Sequence, residues 1–363
     1  MAKAAKAKWP YNTGAGQVRL GDSLEVLADI EDGAVNLVMT SPPFGLVREK
    51  GYGNVSADKY IEWFKPFGKM FHRLLAPNGS LVIDIGGAWI PKQPTRSLYH
   101  YELLISLCRE CGFHLAQDLY WWNPAKLPTP AEWVNVRRLR VKDAVNCVWW
   151  LSPTPWPKAS NTRVLVPYSN SMRKLLARQS YNSGTRPSGH DIGRESFSTD
   201  NKAAIPPNLI AAANTESNSR YQRYCKQEGL SAHPARFPAE LPEFFVRMLT
   251  DPGDLVIDPF AGSCVTGEVS ERLGRRWICV DTEEDYLKGA LARFDPGLLA
   301  EESQKKSGKH AKKSTEYKLF NPAALWTDDP LPPLDADGGK NRSRRRSPAC
   351  PGIRSEHDIS ENG

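Results

Sequence analysis

A chain of 363 residues, 40% of them hydrophobic, can bury a large core as one big domain or two. Its formal net charge of +7 and pI near 8.9 point to a polyanionic partner, while seven cysteines without regular spacing argue against a disulfide framework and for a reducing compartment. The opening MAKAAKAKWPYN lacks the apolar core of a signal peptide and no run of about 18 apolar residues occurs, so a cytoplasmic protein outside the membrane is expected.

In chain order, a basic arm over residues 1–16 precedes RLGDSLEVL, where Asp22 reads as a helix N-cap. The apolar run 35–39 stops at Thr40-Ser41-Pro42-Pro43-Phe44. This is a buried strand ending in a hydroxyl, two prolines and a ring, at the edge where open α/β sheets bind ligands. ADKYIEWFKPFGKMFHRLL repeats its apolar positions at three and four and predicts a helix, after which Pro77-Asn78-Gly79 turns into the strand SLVIDIGG. Asp84 interrupts that strand. A buried carboxylate is costly unless paired or used, so Asp84 either caps the Gly86-Gly87 turn or takes part in chemistry.

A second helix near 97–111 carries both Cys108 and Cys111; no further CxxC or CxxH completes a zinc site, and no metal is expected. The strands HLAQDLYWW and DAVNCVWWL follow, joined by a proline-rich loop holding Arg137, Arg138, Arg140 and Lys142, a charge run that is either a solvated face or a DNA contact. The repeated strand–helix–strand rhythm predicts a doubly wound, mostly parallel α/β sheet.

Over residues 152–232 the rhythm fails, leaving one modest helical patch around YSNSMRKLLARQS. Eleven lysines and arginines stand there against five acidic residues, so nearly all the excess charge lies in this segment. The rhythm returns with PARFPAELPEFFVRMLT as a helix. Residues 255–257 then form a strand, 258–264 a glycine-containing turn, 265–273 a helix and 277–280 a strand closed by Asp281. Gly262 allows close approach of the backbone to a ligand, and an acidic residue about 20 positions on suits ribose hydroxyls. Because Asp258 ends the strand and Gly262 is the single early glycine, the turn suits a cationic ligand better than a pyrophosphate. S-adenosyl-L-methionine carries a sulfonium and an ammonium, with Phe260 offering a ring face beside them. Residues 299–363, with QKKSGKHAKK and NRSRRRS, read as a disordered charged tail.

DPFAGSCVTG and TSPPF, together with GDSLEVL, LVIDIGG, YWWNPAKLP, RVKDAVNCVWW, TRPSGHDIG, IPPNL and HPARFPAELPEFFVRMLT, resemble the amino-methyltransferases of DNA over roughly residues 17–295. The order, catalytic motif first and cofactor motif late, resembles their circularly permuted β group. The resemblance implies a catalytic part at 17–151, an inserted target-recognition segment at 152–232 and a cofactor part at 233–298. It also implies duplex DNA as substrate, S-adenosyl-L-methionine as cofactor and a place in a restriction-modification system, the chain acting as a monomer on DNA.

Asp22 is then expected near the adenine of the cofactor, His233 and Phe237 at its methionine end, and Asp258, Phe260, Gly262, Ser263 and Asp281 around it. In the catalytic motif Ser41 Oγ and the Pro42 carbonyl are suited to accept both N–H bonds of an amino group, Pro43 fixes the backbone and Phe44 stacks on a flipped base. Asp84 accepts or relays the released proton. Arg186, Ser188, His190 and Asp191 are expected in a groove, and the match through TRPSGHDIG makes CAGCTG one candidate site. Serine at the head of the motif resembles the cytosine-N4-directed subset; adenine-N6 methylation and a DNA-binding regulator without turnover are the alternatives. C5 chemistry needs a thiolate, and the chain has no Pro-Cys dipeptide. Cys264 departs from the glycine of many relatives, which leaves the local backbone open.

Overall fold

The computed structural model describes residues 11–45, 55–178, 182–193, 199–214 and 219–299; the start of the basic arm and the charged tail lie outside them. An eight-stranded sheet runs in the order β1 (Gly16–Leu20), β10 (Arg276–Asp281), β9 (Leu255–Asp258), β2 (Val35–Thr40), β3 (Leu75–Ile85), β5 (Val145–Ser152), β4 (His114–Trp122), β8 (Leu209–Ala211). All neighbours pair in parallel except β5, which is antiparallel to both β3 and β4.

Both faces are covered, which is why the strands read as continuous apolar runs. In α2 (Tyr60–Leu74) the apolar positions 60, 64, 67, 71 and 74 make one stripe. With α3 (Tyr99–Arg109) that stripe packs on Val38, Leu81, Ile83 and Ile257. On the opposite face Leu241, Phe245 and Leu249 of α6 (Glu240–Leu249) and Val265 and Val269 of α7 (Val265–Arg272) meet Leu37, Met39, Val82 and Val256. A third cluster joins Tyr221 and Cys225 of α5 (Arg220–Glu228) to Trp277 and to Leu287 of α8 (Glu284–Phe294). After β2 the chain crosses one face by α2; after β9 it crosses the other by α7. The neighbouring carboxyl ends of β2 and β9 therefore flank the switch point of the sheet, where a crevice opens.

Several expectations shift. Pro77, Asn78 and Gly79 do not break the chain between helix and strand; they lie inside β3 and are absorbed by a slip in register, Val35 pairing with Leu75 but Leu37 with Ser80. The helix around Cys108 stops at Arg109, before Cys111, because Gly112 adopts a left-handed conformation (φ 84°). The helix of PARFPAELPEFFVRMLT begins only at Glu240, since Pro234 and Pro238 hold the preceding stretch out of helical geometry. Within residues 152–232, α4 (Asn170–Arg178) stands where expected, but β8 adds an edge strand and α5 buries Tyr221 and Cys225 in the main body. A three-residue strand has no readable period. The α5 helix is capped by Ser219 and by left-handed Gly229, both local signals in the sequence.

Candidate active site

Ser41 stands at the end of β2, and its Oγ donates to Asp84 Oδ2 at 3.0 Å, Asp84 being the next-to-last residue of β3. The other carboxylate oxygen accepts from Asn146 Nδ2 at 3.0 Å, across from antiparallel β5. Burial pushes Asp84 up to about 6 against the pull of the Asn146 and Ser41 hydrogen bonds and the Lys126 charge. With its proton committed to Asp84, the Ser41 hydroxyl presents only lone pairs to the crevice. Tyr60 donates to the Pro43 carbonyl at 2.7 Å, whereas the Pro42 carbonyl accepts no hydrogen bond from the described residues. Phe44 lies against Gly86, where a Cβ would come within 2.6 Å of its ring. Tyr99 Oη donates to the Gly86 carbonyl. Gly86 thus seats Phe44, while Gly87 leaves room for the Arg96 guanidinium; neither receives an Asp84 cap.

Next to this group an open cavity of about 220 Å³ is lined by Asp22, Ser41, Phe44, Trp63, Phe67, His233, Phe260, Asp281, Glu283 and Tyr286 among others. Its lining holds three carboxylates and, among the described residues, neither lysine nor arginine, a donor set that disfavours a pyrophosphate and suits a cation bearing hydroxyls. Phe260 faces Phe67 at 5.1 Å and Trp63 at 5.9 Å, giving an aromatic wall. Asp281 Oδ2 accepts from Gly262 N (2.7 Å) and Oδ1 from Glu283 N (2.9 Å), so each oxygen keeps a lone pair for a ligand hydroxyl; desolvation nevertheless raises its pKa. Asp22 accepts from Leu24 N at 2.8 Å as the N-cap of α1 (Ser23–Val26), as read, and it also lines the cavity. Gly262, at φ 49°, lies under the His233 ring, which a Cβ would meet at 3.0 Å. A small adjoining recess, sharing Ser41, His233 and Phe260 with the cavity, adds Arg236, Phe237 and Ser263.

Asp258 lies elsewhere than expected: it is turned away from the cavity, 1% exposed, accepting from Thr40 Oγ1 (2.7 Å), Thr266 Oγ1 (2.6 Å) and Phe260 N (3.2 Å). Burial raises it to about 6 despite these donors. It clamps the residue before Ser41 to the cofactor-type turn. Cys264 is buried in the left-handed region (φ 53°), the conformation that glycine adopts without strain. Trp63, Phe67, Glu283, Tyr286 and Asn146 were not among the expected site residues; Phe67 belongs to the α2 stripe and Trp63 flanks it, both reading as core packing, and no local signal marks the others.

The basic residues fall in two places. Arg137, Arg138, Arg140 and Lys142 lie on the β4–β5 loop. Arg137 pairs with Glu132 (2.7 Å), Arg140 stacks on Trp89 at 3.8 Å and donates to the Pro94 carbonyl, and Lys142 donates to the Lys126 carbonyl (3.0 Å). Arg138 is exposed. Arg186, Ser188, His190 and Asp191 form the turn and one side of the hairpin β6 (Gly184–Thr185) to β7 (Asp191–Ile192), closed by Arg186 N to the His190 carbonyl at 2.8 Å. Among the described residues no group of His, Cys, Asp or Glu could hold a metal ion, and no helix is long and apolar enough to cross a membrane.

The family model described as DNA methylase matches residues 35–292. The chain is 52% identical over 294 residues to the Type II methyltransferase M.PvuII of Proteus hauseri, covering 80% of this chain and 87% of that one. It is 24% identical to the DNA adenine methyltransferase YhdJ of Escherichia coli, over 81% and 90% of the two chains. Among solved structures, the PvuII DNA methyltransferase (cytosine-N4-specific) superposes with a TM-score of 0.66 at 44% identity, covering 81% of this chain and 92% of that chain.

Proposed function

The chain belongs to the DNA methylase family, and from that premise we propose that it transfers a methyl group from S-adenosyl-L-methionine to the exocyclic N4 amino group of a cytosine flipped out of duplex DNA, as the modification half of a restriction-modification system. The observation that carries the choice of chemistry is the Ser41 hydroxyl, committed as a donor to Asp84 and standing where the cavity and its recess meet. When bound, S-adenosyl-L-methionine supplies an electrophilic methyl group on a sulfonium. Asp22, Asp281 and the Trp63, Phe67 and Phe260 wall hold its nucleoside and cationic centre, with Arg236 and the His233 and Phe237 recess at the amino-acid end. Gly262 and Ser263 let the backbone come close, and Asp258 keeps that turn in register with Ser41.

The amine of cytosine is a poor nucleophile because its lone pair is delocalised into the ring. Ser41 Oγ and the Pro42 carbonyl accept its two N–H bonds and turn the lone pair toward the methyl group. Pro43 stiffens this backbone and Phe44 stacks on the base. Methylation would leave the amine cationic with one proton to give up; Ser41 Oγ would accept it while passing its own proton to Asp84. Incubation of duplex DNA with labelled cofactor, followed by mass spectrometry of the nucleosides, should yield N4-methylcytosine. N6-methyladenine would select the adenine reading, and no methylated nucleoside would leave only a binding role.

Two further outcomes are expected. Asp281→Ala should weaken S-adenosyl-L-methionine binding by about ten- to a hundredfold, roughly 1.5–3 kcal/mol for a charged acceptor, with cofactor-free DNA affinity unchanged. Calorimetry decides it, and wild-type cofactor affinity refutes the role. Arg186→Ala should cost about 1–3 kcal/mol on the cognate site and relax one base pair if Arg186 reads a guanine in the groove, whereas loss of a phosphate contact weakens all sequences alike. Methylation-sensitive sequencing of a randomised duplex library separates these, and an identical profile from both proteins shows that Arg186 does not specify the target.

A further inference from the structure

The loop of residues 123–144 leaves the sheet at the carboxyl end of β4 and returns into β5, where Trp122 pairs with Val145 and Ile85 with Cys147. It therefore rises from the edge that holds Asp84. Asn146, just past its end, touches Asp84; Lys126, near its start, acts on Asp84 by its charge. Arg140 lies on Trp89, five residues after Asp84, whose ring also carries Arg96 at 5.5 Å; Arg96 in turn pairs with Asp143. The loop is thus pinned beside the base site by its own cations.

Between those cations the sequence VRRLRVK interleaves apolar residues that the fold leaves in water: Val136, Leu139 and Val141 are 69%, 63% and 86% exposed. Three apolar side chains held in solvent by a braced loop, amid a run of positive charge, carry no core function. Together they match one surface: a polyanion with an opening that exposes flat apolar faces. A duplex from which one base has been extruded is such a surface, because the vacated space is bounded by the ring faces of the neighbouring base pairs and flanked by phosphates. Apolar side chains are known physical solutions for filling unstacked steps.

We propose that this loop enters the duplex at the target base pair, with Val141 and Leu139 filling the space vacated by the flipped base while Arg138 meets the adjoining phosphates. This deepens the methyltransferase reading and rests on it. Bracing by Arg137, Arg140 and Lys142 preorganises the tips, so the ordering cost is met before DNA arrives. The side chains concerned are exposed, and their replacement leaves the core untouched.

The test compares Leu139→Ser and Val141→Ser, singly and together, in the full chain on two duplexes differing at one place: the target cytosine paired with guanine, or opposite an abasic site, where it is already unpaired. Single-turnover methylation and fluorescence anisotropy are read on each. The double variant should lose about tenfold or more in rate on the paired duplex and approach wild type on the unpaired one, since the loop's work there is already done. An equal loss on both duplexes, or none on either, overturns the proposal while leaving the function standing. A concentration-dependent dimer abolished by Val141→Ser, with unchanged rates, assigns the patch to a second copy and overturns it too. If the wild-type protein methylates neither duplex, the methyltransferase reading itself fails and this proposal with it.

Discussion

Ser41→Ala is expected to lower single-turnover methylation by about thirty- to a thousandfold, roughly 2–4 kcal/mol, while cofactor and DNA binding change little. The hydroxyl accepts an N–H hydrogen bond that is weak while the neutral amine holds its proton tightly and strengthens as the nitrogen becomes tetrahedral and cationic, so its loss falls on the chemical step. The structure adds a second cost. Ser41 is one of two side chains donating to Asp84, which is buried; without it the carboxylate keeps only the Asn146 donor and its ionised form is disfavoured further. The pH dependence of the residual activity should therefore shift upward as well. Rapid-quench kinetics across pH, with calorimetry for the two ligands, checks both parts, and an unchanged single-turnover rate would remove Ser41 from the chemistry.

Asp84→Asn should move activity and stability in opposite directions. The group's folded pKa of about 6 lies above its ordinary 3.8, so it favours folding while protonated, fully so below about pH 4, and that contribution is lost as pH rises through 6. Above pH 6 the chain holds an ionised carboxylate that is 1% exposed. An amide of the same shape removes that burden, and the variant should be more stable at pH 8 by about 1–3 kcal/mol, the gain shrinking toward zero by pH 4 to 5. Turnover should nevertheless fall by at least about a hundredfold, since the amide can neither take the amine's proton nor hold Ser41 as a committed donor. Wild-type activity should itself decline below about pH 6, where Asp84 becomes protonated. Thermal unfolding at pH 8 and pH 5 beside turnover at both values tests this; a variant destabilised at pH 8 would show that the carboxylate is a structural anchor, the cap reading generalised.

What the sequence determined by itself was everything written in short-range terms. Continuous apolar runs placed β2, β9 and β10, and a period of 3.6 placed α2; breakers marked the end of β2; and a hydroxyl followed by two prolines and a ring, a glycine turn and a closing acid announced two ligand-binding strand ends. Ser41, Phe44, Asp22, Phe260 and Asp281 are found around one cavity because each sits at or just past a strand end or at a cap whose position follows from local chemistry; His233 joins them from the irregular stretch before α6.

Only the tertiary structure decided which carboxylate does what. Asp258 and Asp84 both end apolar strands, and nothing nearby in sequence distinguishes them. Asp258 is turned inward by Thr40, 218 residues away, whereas Asp84 is held toward Ser41 by Asn146, 62 residues away on the one antiparallel strand. Likewise Trp63 and Phe67 read as core until the packing of α2 against the β9 turn brings them to Phe260, and the cations of the β4–β5 loop read as a single charged face until Glu132, Trp89 and backbone carbonyls take most of them. The physical reason is the same in each case: a side chain's direction is set by the hydrogen bonds and rings that meet it after the chain has closed on itself. Most of those partners are distant in sequence, and none leaves a periodic trace.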